Sequence, residues 1–187
     1  MQFTKHLELK GYHAFLSPST YHWIRYDDDK FDITYRTKMA ASLGDRLHEI
    51  ASELIKMKIR LPRSEKTLNS FVNDAIGFHM ESETILFYSE NCFGTADAIS
   101  FKKNLLRVHD LKTGVTRTSM DQLMVYAALF CLEYDVRPGS IEMELRIYKM
   151  DAIEVLIPDV DAIVHIMDKI ISFDRRINEL KAENTDD

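Results

Sequence analysis

Three short β-rich segments between two helical patterns constrain the fold of this chain more than any other feature. The predicted strands cover residues 84–89, 93–101 and 105–112. All three are short, the first two contain several β-branched and aromatic residues, as strands do, and the third is mainly apolar. On either side, apolar residues recur at spacings of three and four, which predicts helices over about 40–58 and 119–133. Strands placed in this way between helices indicate an α/β fold.

The rest of the chain extends this α/β pattern. Arg137-Pro138-Gly139 is a stop signal for the second helix. Two further strands are predicted over 141–149 and 152–157, and a short helix around 68–75. An amphipathic helix over about 159–180 ends the pattern. The order helix, three strands, helix, strand predicts a mixed central sheet flanked by helices.

Length and composition favour one domain over residues 1–187. A chain of 187 residues that is 45% hydrophobic can bury one sizeable core. Residues 1–39 show no clean period, and we expect an extension of loops and short elements packed on that core. No apolar run reaches the roughly eighteen residues of a membrane span, and Met1–Lys10 lacks the apolar block of a signal peptide. The expected location is the cytoplasm of a bacterium or a virus-infected host cell.

The charge of the chain is polarised. A formal net charge of -6 argues against nucleic acid as a partner, because such binding draws on Lys and Arg. However, residues 36–66 hold eight basic and four acidic residues, whereas residues 151–187 hold ten acidic and four basic ones. A polarised protein can still bind DNA. Solvated helix faces explain the same distribution, so charge leaves both interpretations open.

The segment with the most chemical content is Val108–Gly114, at the end of the third strand. Residues two apart share a face of a strand, so Asp110 and Lys112 point the same way while Leu111 points into the opposite layer. Asp97 lies on the preceding strand of a predicted hairpin, which can bring it against Asp110. Two converging carboxylates repel unless a cation lies between them. The pattern therefore predicts a divalent metal site with a lysine beside it.

Four spaced motifs follow one another along the chain. They are Gly44 with His48, Gly94 with Asp97, Asp110 with Lys112, and Gln122 with Tyr126. This series resembles that of the PD-(D/E)XK nucleases, and within them the RecB-type and lambda-exonuclease-like branch. The resemblance covers about residues 40–150, and Leu16–Ser19 looks like the N-terminal signature of the family. Ala96 stands where the usual proline precedes the first aspartate, a common departure in this branch.

The resemblance implies a restriction-endonuclease-like core with the order αβββαβ and a catalytic site for phosphodiester hydrolysis. A Mg²⁺ or Mn²⁺ ion would be held by His48, Asp97, Asp110 and the main-chain carbonyl of Leu111. Lys112 would position or activate the water nucleophile. The family's Gln-x-x-x-Tyr residues, here Gln122 and Tyr126, lie beside the active site and the bound strand. The cysteine quartet of iron–sulfur relatives is missing, so no cluster is expected.

Several of these residues also have ordinary structural interpretations. His48 taken alone is typical of a hydrogen-bonded histidine at a helix edge, and Asp110 with Lys112 is typical of a strand-end ion pair. Ser119-x-x-Gln122 matches a capping box, in which the glutamine turns back to the helix start. The conjunction of the motifs favours the functional interpretation.

The sequence therefore predicts a metal-dependent deoxyribonuclease, more specifically an exonuclease of recombination, repair or DNA processing. Three alternatives stay open, namely a nuclease acting on RNA, a metal-dependent enzyme acting on a different phosphate substrate, and an inactive nuclease-fold module that binds DNA or a protein. The C-terminal helix leaves room for a homo-oligomer or a recombination partner protein, and no membrane partner is expected. Candidate contacts to nucleic acid are Arg46, Lys102, Lys103 and Arg117.

Overall fold

The computed structural model describes residues 14–114 and 119–183, and over these ranges the chain is an α/β protein. Residues are grouped into two compact units, with the boundary between Leu43 and Gly44. The second unit contains all strands of the described residues and every predicted site residue that the structure describes.

The first unit holds a 3-10 helix, Pro18–Arg25, and the beginning of a long helix, α1, which spans Asp28–Lys56. The main-chain carbonyl of Ser17 accepts a bond from the Trp23 indole Nε1 at 3.0 Å. Phe15 packs edge-on against Phe31, with ring centroids 5.5 Å apart. The predicted extension over 1–39 falls within this unit, and its packing on the core stays a prediction.

The predicted start of the first helix, near residue 40, is wrong, because α1 spans Asp28–Lys56. The Asp27 carboxylate caps the helix by accepting a bond from the Lys30 N–H at 2.8 Å. Asp28 and Asp29 add negative charge to the first turn, where it complements the helix dipole. Phe31 is partly buried, but Ile33 and Met39 are 67% and 51% exposed, so the first turns bury no continuous apolar stripe.

Within the described residues there are five strands, β1 Glu81–Ser89, β2 Cys92–Lys102, β3 Leu105–Lys112, β4 Glu142–Lys149 and β5 Ala152–Leu156. They form one mixed sheet in the order β1-β2-β3-β4-β5. Neighbours are antiparallel except β3 and β4, which are parallel. The antiparallel pairing of β2 with β3 confirms the predicted hairpin, and Lys103 and Asn104 adopt positive φ angles of 51° and 58° in its turn.

Three further helices complete the described fold. The helix α3 forms part of the crossover that joins the parallel strands β3 and β4. A 3-10 turn, Pro138–Ser140, lies at the predicted stop signal. The observed bounds agree with the predicted elements to within a few residues, and they are α2 Thr67–Gly77, α3 Asp121–Glu133 and α4 Val160–Glu183.

The sheet is buried on both faces by apolar side chains. One cluster joins it to α3 and α4, with Leu106, Val108 and Leu123 fully buried. The other joins it to α1 and α2 through residues such as Ile55 and Phe71. Each buried side chain of this size contributes about 1.5–3 kcal/mol. The end of β3, where the predicted site lies, is thus held on a rigid support between two packed layers.

Cys131 is buried, Cys92 is half-buried, and both are free thiols. None of the helices in the described ranges combines the length and apolar character needed to cross a membrane.

Candidate active site

The end of β3 places an acid and a base side by side. Asp110 is 3% exposed, and the Lys112 ammonium Nζ lies 3.0 Å from each of its carboxylate oxygens. The ammonium donates a hydrogen bond to Oδ1, whereas the buried Oδ2 has no hydrogen-bond partner among the described residues. A buried carboxylate oxygen without a donor can act as a ligand for a cation or a polar substrate group.

Asp97 joins β2, β3 and α1 at this point. Its Oδ2 accepts a hydrogen bond from the Leu111 N–H at 2.7 Å and lies 3.3 Å from His48 Nδ1. The β2–β3 hairpin pairs Ala98 with His109, so Asp97 follows at the position next to Asp110. The structure therefore brings the predicted residues of α1, β2 and β3 to one place. Leu111 contributes its N–H, and the role expected of its carbonyl stays a prediction.

A third acidic residue, Glu83 on β1, belongs to the same group and was not predicted. One ligand atom each from His48, Glu83 and Asp97 lies within 4.8 Å of the others. In the register of β1 and β2, Ser82 pairs with Ala98, so Glu83 lies opposite Asp97. The signal that could have revealed it is its place across a hairpin from a predicted ligand.

The electrostatics show a site with crowded negative charge. A hydrogen bond with Asp97 raises the pKa of His48 above its ordinary value, although burial opposes this. Partial burial and then repulsion by Asp97 raise the pKa of Glu83. Burial and the same repulsion raise the pKa of Asp110, and Lys112 only partly offsets them. The carboxylates therefore lack enough positive charge from the protein itself.

This donor set fits a divalent cation such as Mg²⁺ or Mn²⁺. Carboxylate oxygens suit both ions, and one imidazole nitrogen is tolerated. His48, Glu83 and Asp97 supply the close group of ligand atoms. Asp110 lies next to that group rather than within it, and its Oδ2, which is 3.0 Å from the Lys112 ammonium, accepts no hydrogen bond within the described ranges.

Gln122 and Tyr126 flank the lysine from α3. The Lys112 ammonium donates to Gln122 Oε1 at 3.0 Å, which favours the site interpretation of Gln122 over the capping box. Instead, Ser119 bonds with Asp121 at the helix start. The Tyr126 hydroxyl donates a hydrogen bond to the Thr95 carbonyl at 2.6 Å, and burial raises the pKa of Tyr126. Gln122 thus positions the ammonium, while Tyr126 ties α3 to β2.

The glycines of two predicted motifs permit close packing around the site. A Cβ added to Gly44 would lie 2.6 Å from Thr113 Oγ1, so a side chain here would require either Thr113 or α1 to shift. A Cβ added to Gly94 would lie 3.1 Å from Tyr126 Cε1. The close approach of Thr113 and Tyr126 explains why glycine occupies positions 44 and 94.

The predicted contacts to nucleic acid are not all near the site. Arg46 is exposed on α1, two residues before His48. Lys102 and Lys103 lie at the opposite end of β3 from Lys112, roughly 20 Å away at about 3.3 Å per residue. Arg117 lies outside the described residues.

Comparison of the chain with family models, with curated proteins and with solved structures finds no match.

Proposed function

We propose that this chain is a Mg²⁺- or Mn²⁺-dependent nuclease with a restriction-endonuclease-like core of the PD-(D/E)XK type. One observation carries the proposal. The Asp110–Lys112 pair at the end of β3 adjoins the ligand group of His48, Glu83 and Asp97. A crowded set of carboxylates beside an ammonium suits the hydrolysis of a phosphodiester, a reaction that develops negative charge on phosphate oxygens.

Each residue has a role that follows from its contacts. His48, Glu83 and Asp97 would hold the cation, and Asp110 would complete its ligands through Oδ2. The cation supplies Lewis-acid stabilisation of negative charge. Lys112 donates hydrogen bonds and can orient the attacking water or stabilise the phosphate.

Gln122 restrains the position of that ammonium. It accepts one of the three donors of Lys112, and Asp110 accepts another. One donor is left for a water molecule or a phosphate oxygen. A lysine can act in this role only if its ammonium is held in position. Holding it costs side-chain entropy, because the stem of lysine is flexible.

DNA is the proposed substrate because the segment 46–66, which includes His48, offers positive charge for a phosphate backbone. The basic side chains of the segment 46–66 are exposed, and none forms an ion pair with any residue in the described ranges. Cations of this kind provide the sequence-independent part of DNA binding. They are Arg46, Lys56, Lys58, Arg60, Arg63 and Lys66.

The test is degradation of end-labelled single- and double-stranded DNA by the purified chain, with Mg²⁺, with Mn²⁺ and with a chelator. Asp110→Asn and Lys112→Met should each lower the cleavage rate at least about a hundredfold. Asp168→Asn and Lys169→Met, matched changes at exposed positions of α4, should leave it unchanged.

The two kinds of outcome are distinct. Cleavage that requires the metal and is lost only in the site variants supports the proposal. Equal degradation by the wild type and both site variants, or none under any condition, overturns it. RNA offered in parallel distinguishes a ribonuclease from a deoxyribonuclease.

A further inference from the structure

A polar pocket of about 660 Å³ lies beside α2 and apart from the proposed catalytic residues. It is formed by the segment that joins α1 to α2, by α2 itself and by β5. Its volume falls within the roughly 300–1,000 Å³ of pockets that bind small ligands. It shares no residue with the ligand group or with the Asp110–Lys112 pair. Its polar lining residues are Arg60, Arg63, Ser64, Ser70, Asn73 and Asp74.

The pocket and the Lys112 ammonium lie on different sides of the sheet. Asp74 of the lining bonds with Tyr148, a residue of the cluster between the sheet and α2. The Lys112 ammonium instead bonds with Gln122 of α3, the helix that covers the other side. A ligand of the pocket would therefore be distinct from the phosphate at the proposed site of cleavage.

The lining has positive charge that the described residues leave unbalanced. Neither Arg60 nor Arg63 forms an ion pair within the described ranges. The acidic residue of the lining, Asp74, already has a cationic partner, because its Oδ2 lies 3.2 Å from Arg146 Nη1. The same oxygen accepts a hydrogen bond from the Tyr148 hydroxyl at 2.7 Å. Two guanidinium groups thus remain for an anion.

The segment that carries the two arginines is held against α2 by polar side chains. The Leu61 N–H donates to Asn73 Oδ1 at 2.9 Å, and Asn73 Nδ2 donates to the Leu61 carbonyl at 2.9 Å. One turn earlier on α2, Asn69 Nδ2 donates to the Pro62 carbonyl at 2.9 Å and to Ser64 Oγ at 3.0 Å. Because the backbone beside both arginines is fixed, less conformational entropy is lost when a ligand binds.

The donors of this lining match those that a phosphate group requires. A planar guanidinium presents paired N–H donors that fit phosphate oxygens, and it is always charged. Ser64 adds a hydroxyl, whose oxygen accepts the Asn69 amide and whose own proton can be donated to a ligand. A carboxylate offers only two oxygens, whereas a phosphate has enough to accept from both arginines and from the hydroxyl.

We propose that this pocket is a phosphate-binding site, carried by Arg60 and Arg63 and separate from the site of cleavage. The proposal needs only a phosphate group, so it does not depend on the proposed nuclease function. Two sources offer that chemistry, namely the backbone of a bound nucleic acid, and free phosphate or a phosphate monoester. With the first source, two of the exposed cations of the segment 46–66 would form a defined contact.

The test is calorimetric titration of the full chain with inorganic phosphate, in a chelator and at constant ionic strength. We expect a Kd of about 1 mM or lower for the wild type. Arg60→Gln and Arg63→Gln should each raise this Kd at least about tenfold, because each removes charge-assisted donors. Arg175→Gln, at an exposed position of α4, is the matched control and should leave the Kd unchanged.

Two further variants separate this pocket from other causes of lost binding. Lys112→Met should leave the Kd for phosphate unchanged, whereas a loss of affinity in this variant would place the phosphate at the Lys112 ammonium and overturn the proposal. Arg63→Lys keeps the charge but not the paired donors, and should give a Kd between those of the wild type and Arg63→Gln. No binding by the wild type, or equal binding by the wild type, Arg60→Gln and Arg63→Gln, also overturns the proposal.

Competition identifies the source of the phosphate. A single-stranded oligonucleotide, added in the chelator so that it is not cleaved, should displace inorganic phosphate if a nucleic-acid backbone occupies the pocket. Phosphate that stays bound at saturating oligonucleotide assigns the pocket to free phosphate or a monoester. Either result supports the site, and neither depends on whether the chain cleaves DNA.

Discussion

Glu83 has a strained backbone conformation, and its carboxylate lies close to a second negative charge. Its φ of 52° lies in the left-handed region, which costs a residue with a Cβ roughly 1–2 kcal/mol. It also lies opposite Asp97, whose charge is one cause of its raised pKa. Strain of this kind persists where the surrounding structure imposes it, and it is concentrated at functional sites. A cation between the two carboxylates would offset the repulsion.

Replacing Glu83 should stabilise the metal-free protein while weakening its metal binding. Glu83→Gln removes the repulsion, and Glu83→Gly also removes the backbone strain, a further gain of about 1 kcal/mol. Without metal, the free energy of unfolding should increase from the wild type to Glu83→Gln, and further to Glu83→Gly. Urea unfolding with a chelator present measures this order.

The same two variants should lose the stabilisation that Mn²⁺ gives the wild type. Losing one carboxylate ligand should raise the Kd for Mn²⁺ at least tenfold, or about 1.4 kcal/mol. Glu81→Gln, an exposed change two residues earlier on β1, is the control. A wild-type response to Mn²⁺ in Glu83→Gln would remove Glu83 from the ligand group.

At this scale, the sequence predicted the residues that share a strand face or a hairpin. Asp110 and Lys112 were found because a period of two places them together, and Asp97 because a hairpin pairs its strand with theirs. Glu83 was missed because the predicted strand began at Thr84, and the polar residues before it are unusual in strands.

Among the elements, the approach of α1 to the end of β3 depends on Gly44. Gly44→Ala should gain up to about 1 kcal/mol of helix propensity, but its Cβ would lie 2.6 Å from Thr113 Oγ1. We expect Gly44→Ala to destabilise the chain or slow DNA cleavage. Adding Thr113→Ala to that variant should restore the lost stability or cleavage rate. A double-mutant cycle should give a coupling of about 0.5–3 kcal/mol.

Gly77→Ala provides the comparison for this cycle. A Cβ at that position would meet only an ordinary contact, 3.8 Å from Arg60 Nη2. Additive effects of Gly44→Ala and Thr113→Ala would show that the close approach has no energetic consequence.

On the α2 side of the sheet, a charged cluster links β3 and β4. Glu144 Oε1 accepts hydrogen bonds from Arg107 Nε at 3.0 Å and Arg146 Nε at 3.1 Å. Both guanidinium groups lie over the ring of Phe78, at 4.3 and 5.0 Å from its centre. Burial would raise the pKa of Glu144, but the hydrogen bonds from Arg146 and Arg107 outweigh it, so that the pKa is lowered.

Glu144→Gln should therefore destabilise the chain by about 2 kcal/mol at neutral pH, because two arginines lose a charged acceptor. A lowered folded-state pKa gives stability that is present above the unfolded value of 4.5 and lost as the pH falls through the folded value. The difference between wild type and Glu144→Gln should shrink below pH 4.5.

Urea unfolding across this pH range measures the effect. Glu142→Gln, an exposed position on the same strand, should show no comparable difference. A cost for Glu144→Gln that stays constant below pH 4.5 would assign the loss to packing rather than to charge.

The predicted bounds of an element agree with the structure where its apolar side chains are buried at regular spacing. They disagree where the side chains of an element are exposed. The bounds of β3 match the prediction because its apolar residues face packed layers on both sides of the sheet. The start of α1 was missed because its first turns bury no apolar stripe, so only the capping aspartates mark it.

For the molecule as a whole, we propose that one metal site is responsible for both cation binding and phosphodiester cleavage. The net charge of -6 is compatible with DNA binding, because basic residues without an ion pair in the described part of the chain are concentrated over 46–66. Binding and cleavage are separable measurements, so their dependence on metal can be compared in one protein.

The most direct test is a Mn²⁺ titration that follows single-turnover cleavage of labelled DNA and thermal stabilisation of the same chain. We predict no cleavage in a chelator, and a half-saturating Mn²⁺ concentration for cleavage that equals the Kd obtained by fitting the stabilisation to RT ln(1 + [Mn²⁺]/Kd). His48→Ala should raise both values together. Cleavage that persists in the chelator, or a half-saturating concentration that His48→Ala leaves in place while the Kd from stabilisation rises, would contradict the assignment.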